Sequence, residues 1–248
     1  MQPIHPSLIT EAIEVFVGGF CFTRSFTHPF LGERVGPLWV MRDAPRKRGD
    51  YRSEEWVAYK VGAEEFDQIV RSQARGRFVI CAIGDNEEEQ KALQIGLKVL
   101  GYRLINTEPL MIHPLAEIPT FDSPALIERV TTTDVADRLT KAARSRQILP
   151  EHFVPGARLR QYSAQMDGEL IGWVRSITVD KSTWCSNMYV RPAFRRQGIV
   201  RALLSRMLVD DRDAGAQRAV LLASHTGAKL YPVVGYQPIG ALLLFTPR

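Results

Sequence analysis

Hydrophobic and polar residues follow two different periods in the second half of the chain. They alternate on both sides of Asp167-Gly168, a dipeptide that favours a two-residue turn, so residues 157–179 predict a β-hairpin. Helical stretches alternate with further strands around this hairpin. The sequence predicts strands at 125–132, 183–190, 218–224 and 237–246, and helices at 135–149 capped by Asp134, from Gly198 to about Asp211, and at about 228–234. This order predicts an α/β (α+β) fold, with a mixed, mostly antiparallel sheet flanked by helices.

The first half of the chain shows part of the same order. Residues 77–113 predict a strand, a helix with an acidic start, a Gly-Tyr pair and a strand, and residues 218–245 run in the same sequence. We interpret this as a weak internal repeat. The other predicted elements of the first copy are a strand within 36–45 and a helical segment within 53–76.

A boundary between two domains is predicted near residue 120. The segment HPLAEIPTFDSP, residues 113–124, contains three prolines and little periodicity, as is typical of a linker. We therefore expect a smaller domain at 1–118 and a second domain at 119–248.

The charge of the chain is unevenly distributed. Residues 1–124 hold 14 basic and 17 acidic side chains, a net of −3, whereas residues 125–248 hold 18 and 10, a net of +8. The second half should therefore attract an anionic ligand. The pattern argues against nucleic acid as a partner, because no aromatic residues are interleaved among the arginines.

Composition also restricts the cellular setting. Three widely spaced cysteines, Cys21, Cys81 and Cys185, indicate buried free thiols rather than a disulfide framework or a zinc site. The N-terminus lacks the basic region of a secretory signal, and no apolar run of about 18 residues is evident. We expect a cytoplasmic protein with no membrane partner and no metal.

One stretch carries a specific chemical signal. In MYVRPAFRRQGIVRALLSRML, residues 188–208, a strand passes through Arg-Arg-Gln-Gly into a helix. The first amides of a helix lack intrahelical partners and lie at the positive end of its dipole. Gly198 would let a ligand approach the backbone, and Arg195, Arg196 and Arg201 would raise the local potential. This turn predicts a pyrophosphate cradle.

The same stretch resembles the acyl-CoA loop of the GNAT superfamily of N-acetyltransferases. That motif is Arg/Gln-x-x-Gly-x-Gly/Ala, here carried by Arg195 and Gly198, with Val200 at the third position. A second stretch, SHTGAKLYPVVGY, residues 224–236, resembles the last motif of the family, Asn-x-x-Ala-x-x-Leu-Tyr-x-x-x-Gly-Phe/Tyr. It differs at Ser224 and Gly227.

The resemblance implies a GNAT-like fold for residues 119–248 and a degenerate copy without a CoA loop before it. It also implies that acetyl-CoA is the cosubstrate and that an amine attacks its thioester directly in a ternary complex. The implied acetyl-CoA contacts are Met188, Tyr189, Val190, Arg195, Arg196, Gln197, Gly198, Ile199, Val200, Arg201, Ser224 and Gly227.

The catalytic groups follow from the same resemblance. Tyr231 stands where the family usually has its general acid. The strand before the loop offers no carboxylate as a base, so a water held by Ser186 or Asn187 could relay the proton. His152 and Glu151 are alternatives, more plausibly ordinary surface residues, and Cys185 is expected to be an inert thiol.

The expected activity is acetyl transfer to a primary amine of a small molecule. The sequence also leaves open a non-catalytic acyl-CoA-binding regulator, and a transferase of another acyl group or to a protein amine. The acceptor, the acyl preference and the oligomeric state, including a homodimer, stay open. The first half is expected to cover one edge of the catalytic sheet and to shape the acceptor cleft.

Overall fold

A computed structural model describes residues 5–248 as eleven strands, six α-helices and three short 3-10 turns. The helices are α1 (Pro6–Arg24), α2 (Ala63–Gln73), α3 (Glu87–Val99), α4 (Thr133–Ala143), α5 (Ile199–Asp213) and α6 (Tyr231–Val234). The strands are β1 (Phe30–Val35), β2 (Leu38–Asp43), β3 (Glu54–Tyr59), β4 (Phe78–Gly84), β5 (Tyr102–His113), β6 (Leu126–Arg129), β7 (Leu159–Met166), β8 (Glu169–Val179), β9 (Ser182–Val190), β10 (Arg218–Leu222) and β11 (Gln237–Pro247). The mixed, mostly antiparallel fold class is as predicted.

The chain divides into two compact units, which we call the first and the second unit. The described part of the first unit comprises residues 5–111, 222–228 and 238–248. The second unit comprises residues 112–221 and 229–237. The last strand of the chain therefore lies almost entirely in the first unit, together with the N-terminal strands.

The strands of the first unit follow the order β1-β2-β3-β4-β11-β5. Strands β3 and β4 are parallel, whereas β1, β2 and β11 pair antiparallel with their neighbours β2, β3 and β4. Apolar side chains from the strands and from α2 and α3 form one core around the fully buried Trp56, Phe66 and Tyr102. The amphipathic pattern of α2 and α3 explains this packing, because each helix places its apolar stripe on the sheet.

The strands of the second unit follow the order β10-β9-β8-β7-β6. Strands β10 and β9 are parallel, and the other three pairs are antiparallel. The predicted hairpin is confirmed: β7 and β8 are joined by Asp167 and Gly168, which have φ of 51° and 78°. Positive φ at both positions gives the turn the twist that suits a hairpin.

Two predicted elements were wrong in part. The segment within 53–76 begins with strand β3, because Trp56, Val57 and Ala58 are all buried in the sheet. The helix predicted at 135–149 is α4, which begins at Thr133 and ends at Ala143. Arg144 has φ of 55°, a left-handed conformation that stops the helix.

Asp134 does not cap α4. The cap position is Thr132, which is extended, and Asp134 lies in the first helical turn. A carboxylate there still interacts favourably with the positive end of the helix dipole.

Helix α1 is longer and more apolar than the sequence interpretation allowed. Pro6–Arg24 is 19 residues long with a mean hydropathy of 1.2, so by length and composition alone it could cross a membrane. Its apolar side chains, among them Ile9, Ile13 and Phe16, are buried within the protein. A buried core helix passes the same test of length and composition, so this feature is weak support for a membrane span.

Candidate active site

The turn between β9 and α5 has the backbone of an anion cradle. Gly198 is the N-cap of α5, with φ of 81°, and it has no side chain to accept from the first helical amides. The first intrahelical bond runs from the Ala202 amide to the Gly198 carbonyl over 3.1 Å. The amides before it therefore point out of the helix end and are available to an anion.

The arginines of this turn are not neutralised by the protein. The Arg195 guanidinium donates to the Val190 carbonyl over 3.0 Å. Within residues 5–248 no carboxylate oxygen lies within 4.0 Å of Arg195, Arg196 or Arg201. Their positive charge is therefore available to a phosphate group.

The proline-rich segment before β6 packs against the first turns of α5. The Ser205 hydroxyl donates to the Pro119 carbonyl over 2.7 Å. The Arg201 guanidinium lies over the Phe121 ring, 5.2 Å from its centroid. A side chain added at Gly198 would place its Cβ 3.2 Å from the Asp122 carbonyl oxygen. This segment thus borders the cradle and holds Arg201 in place.

Strand β9 bulges just before the turn. Trp173 of β8 faces Tyr189, whereas Arg175 faces Ser186, so two residues of β9 oppose one of β8. Asn187 takes up the bulge with φ of 54°. A bulge leaves one residue out of the ladder, so a backbone group of β9 is not used by the sheet.

Ser186 and Asn187, the predicted water relay, are both held by neighbouring side chains. Arg175 donates from Nε to the Ser186 hydroxyl over 3.1 Å. The Asn187 side-chain amide donates to the side-chain oxygen of Gln147, Oε1. This part of the site is polar, and it contains no carboxylate among the described partners of these four residues.

The three predicted pantetheine contacts have different environments. Val190 is buried, Met188 is partly buried and Tyr189 is 36% exposed. The Tyr189 ring stacks on Trp173, with centroids 4.6 Å apart. The aromatic pair forms an apolar surface next to the bulge.

Tyr231 opens α6 and is held in an aromatic cluster. Its ring packs edge-on against Tyr236 at 5.6 Å, and the Tyr236 ring packs against His113 at 5.2 Å. Burial raises the pKa of Tyr231, so its hydroxyl is protonated at neutral pH. No hydrogen bond of that hydroxyl is found within residues 5–248, although the side chain is only 8% exposed.

His113 fixes the end of α6. The Leu115 amide donates to its Nδ1 over 2.9 Å, so Nε2 is the nitrogen that donates to the Val234 carbonyl over 3.0 Å. Burial lowers the pKa of His113, which keeps the ring neutral. Gly235 has φ of 109°, and a Cβ there would lie 2.6 Å from the His113 ring, so only glycine fits.

Ser224 and Gly227, the two departures from the last motif, belong to the first unit. They form a local turn. The Gly227 amide donates to the Ser224 hydroxyl over 3.2 Å, and the Ala228 amide donates to the Ser224 carbonyl over 2.9 Å. Their role toward acetyl-CoA stays a prediction.

The alternative bases differ in exposure. Glu151 is exposed, as predicted, but His152 is buried at 8% exposure and not a surface residue. Its Nδ1 accepts from the Leu149 amide over 3.2 Å, and burial lowers its pKa. Packing of the 3-10 turn at Pro150–His152 explains this position.

The prediction that the cysteines are buried free thiols is confirmed for Cys21, Cys81 and Cys185. Burial raises the pKa of Cys185 far from the range in which a thiolate forms, so this thiol is unreactive. Among residues 5–248 there is no group of three His, Cys, Asp or Glu side chains placed to hold a metal ion.

Sequence reasoning missed three residues of this region. Arg175 and Gln147 hold the relay residues, and His113 anchors the motif that carries Tyr231. Alternation along β8 places Arg175 on the same face as Trp173, which is the only local signal that could have found it. The other two lie 40 and 121 positions from their partners, so no local pattern indicates them.

Residues 158–238 match the family model of the acetyltransferase (GNAT) domain. The matched region contains the bulged strand, the cradle and Tyr231. The comparison of the sequence with curated proteins finds no match.

Solved structures resemble this chain over nearly its whole length. A GCN5-related N-acetyltransferase from Kribbella flavida aligns with a TM-score of 0.66 and 17% identity, covering 95% of each chain. A conserved protein of unknown function from Staphylococcus epidermidis aligns with a TM-score of 0.61 and 15% identity, covering 91% of this chain and 96% of that one. A tandem GNAT protein from the clavulanic acid biosynthesis pathway aligns with a TM-score of 0.51 and 10% identity, covering 96% and 94%. At these identities the similarity establishes the fold over the whole chain.

Proposed function

We propose that this protein is an acetyl-CoA-dependent N-acetyltransferase that acetylates the primary amine of a small molecule. The observation that carries the proposal is the cradle at Gly198, with open helix amides and arginines that no carboxylate of residues 5–248 neutralises. The match of residues 158–238 to the GNAT acetyltransferase domain supports the same activity.

The pyrophosphate of acetyl-CoA would bind the α5 amides and the arginines of the turn. Gln197, Ile199 and Val200 complete the backbone of that cradle. The pantetheine arm would then run along the end of β9, where Met188 and Val190 supply apolar contacts. The backbone group freed by the bulge at Asn187 would face the thioester carbonyl.

The reaction joins the acceptor nitrogen to the acetyl carbon and breaks the carbon–sulfur bond. The attacking amine loses a proton through a water held by Ser186 or Asn187, which relays it to solvent, and the departing CoA sulfur gains one from Tyr231, which solvent then reprotonates. The Tyr231 hydroxyl suits this task because it is protonated and has no hydrogen-bond partner in the described chain. Proximity of the two substrates in one ternary complex supplies much of the acceleration.

The first half of the chain would serve the site indirectly. We propose that 1–118 is a degenerate GNAT-like domain that binds no CoA and that 119–248 is the catalytic domain. Helix starts in the first half carry Glu64 and Glu65 in α2 and an acidic triplet in α3, which would repel a pyrophosphate. We also propose a cytoplasmic location.

A thermal-shift titration with acetyl-CoA tests the proposal. Ligand binding to the native state raises stability by mass action, and saturation at about 100 times Kd should raise the Tm by roughly 5–10 °C. Gly198→Asp should abolish that rise, because it places a carboxylate and a Cβ where the phosphates bind.

Gly215→Asp is the matched control. Gly215 lies just beyond the other end of α5 and also has positive φ, at 89°. The substitution therefore adds the same charge and a similar backbone strain away from the cradle. The rise in Tm should persist in this variant. No rise in the wild-type protein at millimolar acetyl-CoA would refute the proposed function.

A further inference from the structure

The sheet of the second unit holds a buried arginine on one face and a partly buried arginine on the other, and within residues 5–248 only the first has a carboxylate partner. Arg160 faces α5, where its guanidinium binds Asp211 over 2.7 Å. Arg175 of β8 lies directly across from Gln161, which follows Arg160 on β7. Because successive residues of a strand point to opposite faces, Arg175 faces away from α5. Its recorded partner is the Ser186 hydroxyl, and within residues 5–248 no carboxylate lies within 4.0 Å of it.

Arg175 is nevertheless partly removed from water. Burial lowers its pKa to about 10, and no acidic group offsets that shift. A guanidinium remains charged at neutral pH even so. A desolvated cation without a counter-ion is unfavourable unless a ligand supplies the negative charge.

The residues around Arg175 are also left with unused polar atoms. Trp173 Nε1, Gln161 Oε1 and Ser163 Oγ are each buried without a hydrogen-bond partner in the described chain. All three lie on the face of Arg175, because Ser163 is directly across from Trp173 in the register. Buried polar groups are normally satisfied, so a group of three next to an unpaired cation indicates a place for a polar ligand.

We propose that Arg175 binds a carboxylate of the amine acceptor, so that the acceptor is an amine of the amino-acid type. The proposal rests on the proposed function. Arg175 adjoins the bulge at Asn187, beside which the acetyl group would lie, and its remaining N–H groups form the planar fork that carboxylates match. The proline-rich segment and α5 pack on the opposite side, so the CoA phosphates and the acceptor carboxylate would use separate cationic groups.

Matched pairs of amines test this assignment. Each pair consists of an L-amino acid and its carboxamide, for example phenylalanine and phenylalaninamide or lysine and lysinamide, assayed by release of the CoA thiol. The wild-type protein should favour the carboxylate member in kcat/KM by about 10- to 100-fold, through KM. Arg175→Gln should remove that preference, and Arg175→Lys should keep part of it.

Two results would overturn the proposal. One is equal use of both members of every pair, or turnover of carboxamides alone. The other is a loss of kcat in Arg175→Gln that is the same for both members and leaves the preference for the carboxylate member unchanged, which would mean that Arg175 only positions Ser186 or acts on the thioester. The thermal shift with acetyl-CoA, measured on the same preparations, distinguishes failure of this proposal from failure of the proposed function. The shift should be the same in Arg175→Gln as in the wild-type protein. If acetyl-CoA does not bind, titration calorimetry with the same pairs tests the carboxylate site by itself. Binding of the amino acids to the wild-type protein but not to Arg175→Gln would support the site, and no binding to either would contradict it.

Discussion

The two faces of the second unit's sheet differ in whether the arginine that each carries has a carboxylate partner. On the face toward α5, the Asp211 carboxylate accepts from Arg160, Ser176 and Thr183, all within 3.3 Å. On the other face, the one partner of the Arg175 guanidinium within residues 5–248 is the Ser186 hydroxyl, and three buried polar atoms of its neighbours have no partner there.

The difference shows which face is complete without a ligand. A buried ion pair with all its hydrogen bonds satisfied holds its helix and strands in one arrangement. Removal of one partner strongly destabilises the fold, because the other charge stays buried without compensation. A partly buried cation without an ion-pair partner contributes little to folding, and we therefore assign Arg175 a role in binding. The same strands therefore carry a structural network on one side and a ligand surface on the other.

Removing Asp211 should produce the largest effect on stability. Asp211→Ala leaves the Arg160 guanidinium buried without a counter-ion, and we expect a loss of about 3–5 kcal/mol in the free energy of unfolding. Urea denaturation measures it. Asp213→Ala is the control on the same helix, because Asp213 is exposed and its pair with Arg212 should contribute less than about 1 kcal/mol. A loss below about 1 kcal/mol in Asp211→Ala would contradict the structural role of this face.

The variant Tyr231→Phe tests whether the buried Tyr231 hydroxyl acts as the general acid. Tyr231→Phe keeps the ring packing, so acetyl-CoA affinity should change little. The saturating rate should fall about 10- to 100-fold, at the low end for general acid catalysis because a thiolate leaves fairly well unprotonated. Steady-state kinetics with an accepted amine gives both values.

Tyr236→Phe is the matched control for that experiment. The Tyr236 hydroxyl is buried in the same aromatic cluster, where it interacts with the Cys185 thiol. It packs on the same cluster, so its loss should leave kcat unchanged. Equal rates in the wild type and Tyr231→Phe, with chemistry shown to be rate-limiting, would remove Tyr231 from the mechanism.

Local signals in the sequence were sufficient for the fold class, for the hairpin and for the strand-to-helix turn at Gly198. The hairpin follows from Asp167-Gly168, whose backbone requirement is met within two residues. The cradle follows from Gly198 at a strand-to-helix turn, again a property of neighbouring positions. The helix predicted at 135–149 was too long, because it ends at a left-handed Arg144 and an arginine there gives no sequence signal for a helix end.

The contrast between the faces could not be read from the sequence. Arg160 and Asp211 are 51 positions apart, and only the fold brings them together. Arg160 and Arg175 look alike as arginines within predicted strands. The register decides which of them meets α5, and a shift of one residue would exchange their faces.

The contrast between the two faces is tested most directly by comparing two variants, Arg160→Gln and Arg175→Gln. The quantity measured is the free energy of unfolding of each. Both substitutions remove a guanidinium from an inner strand of the same sheet and put the same side chain in its place. We expect Arg160→Gln to lose about 3–5 kcal/mol, because Asp211 is left buried without its cation, and Arg175→Gln to change by less than about 1 kcal/mol or to gain stability. Similar losses of several kcal/mol in both variants would contradict the account, since Arg175 would then be as much a part of the folded framework as Arg160.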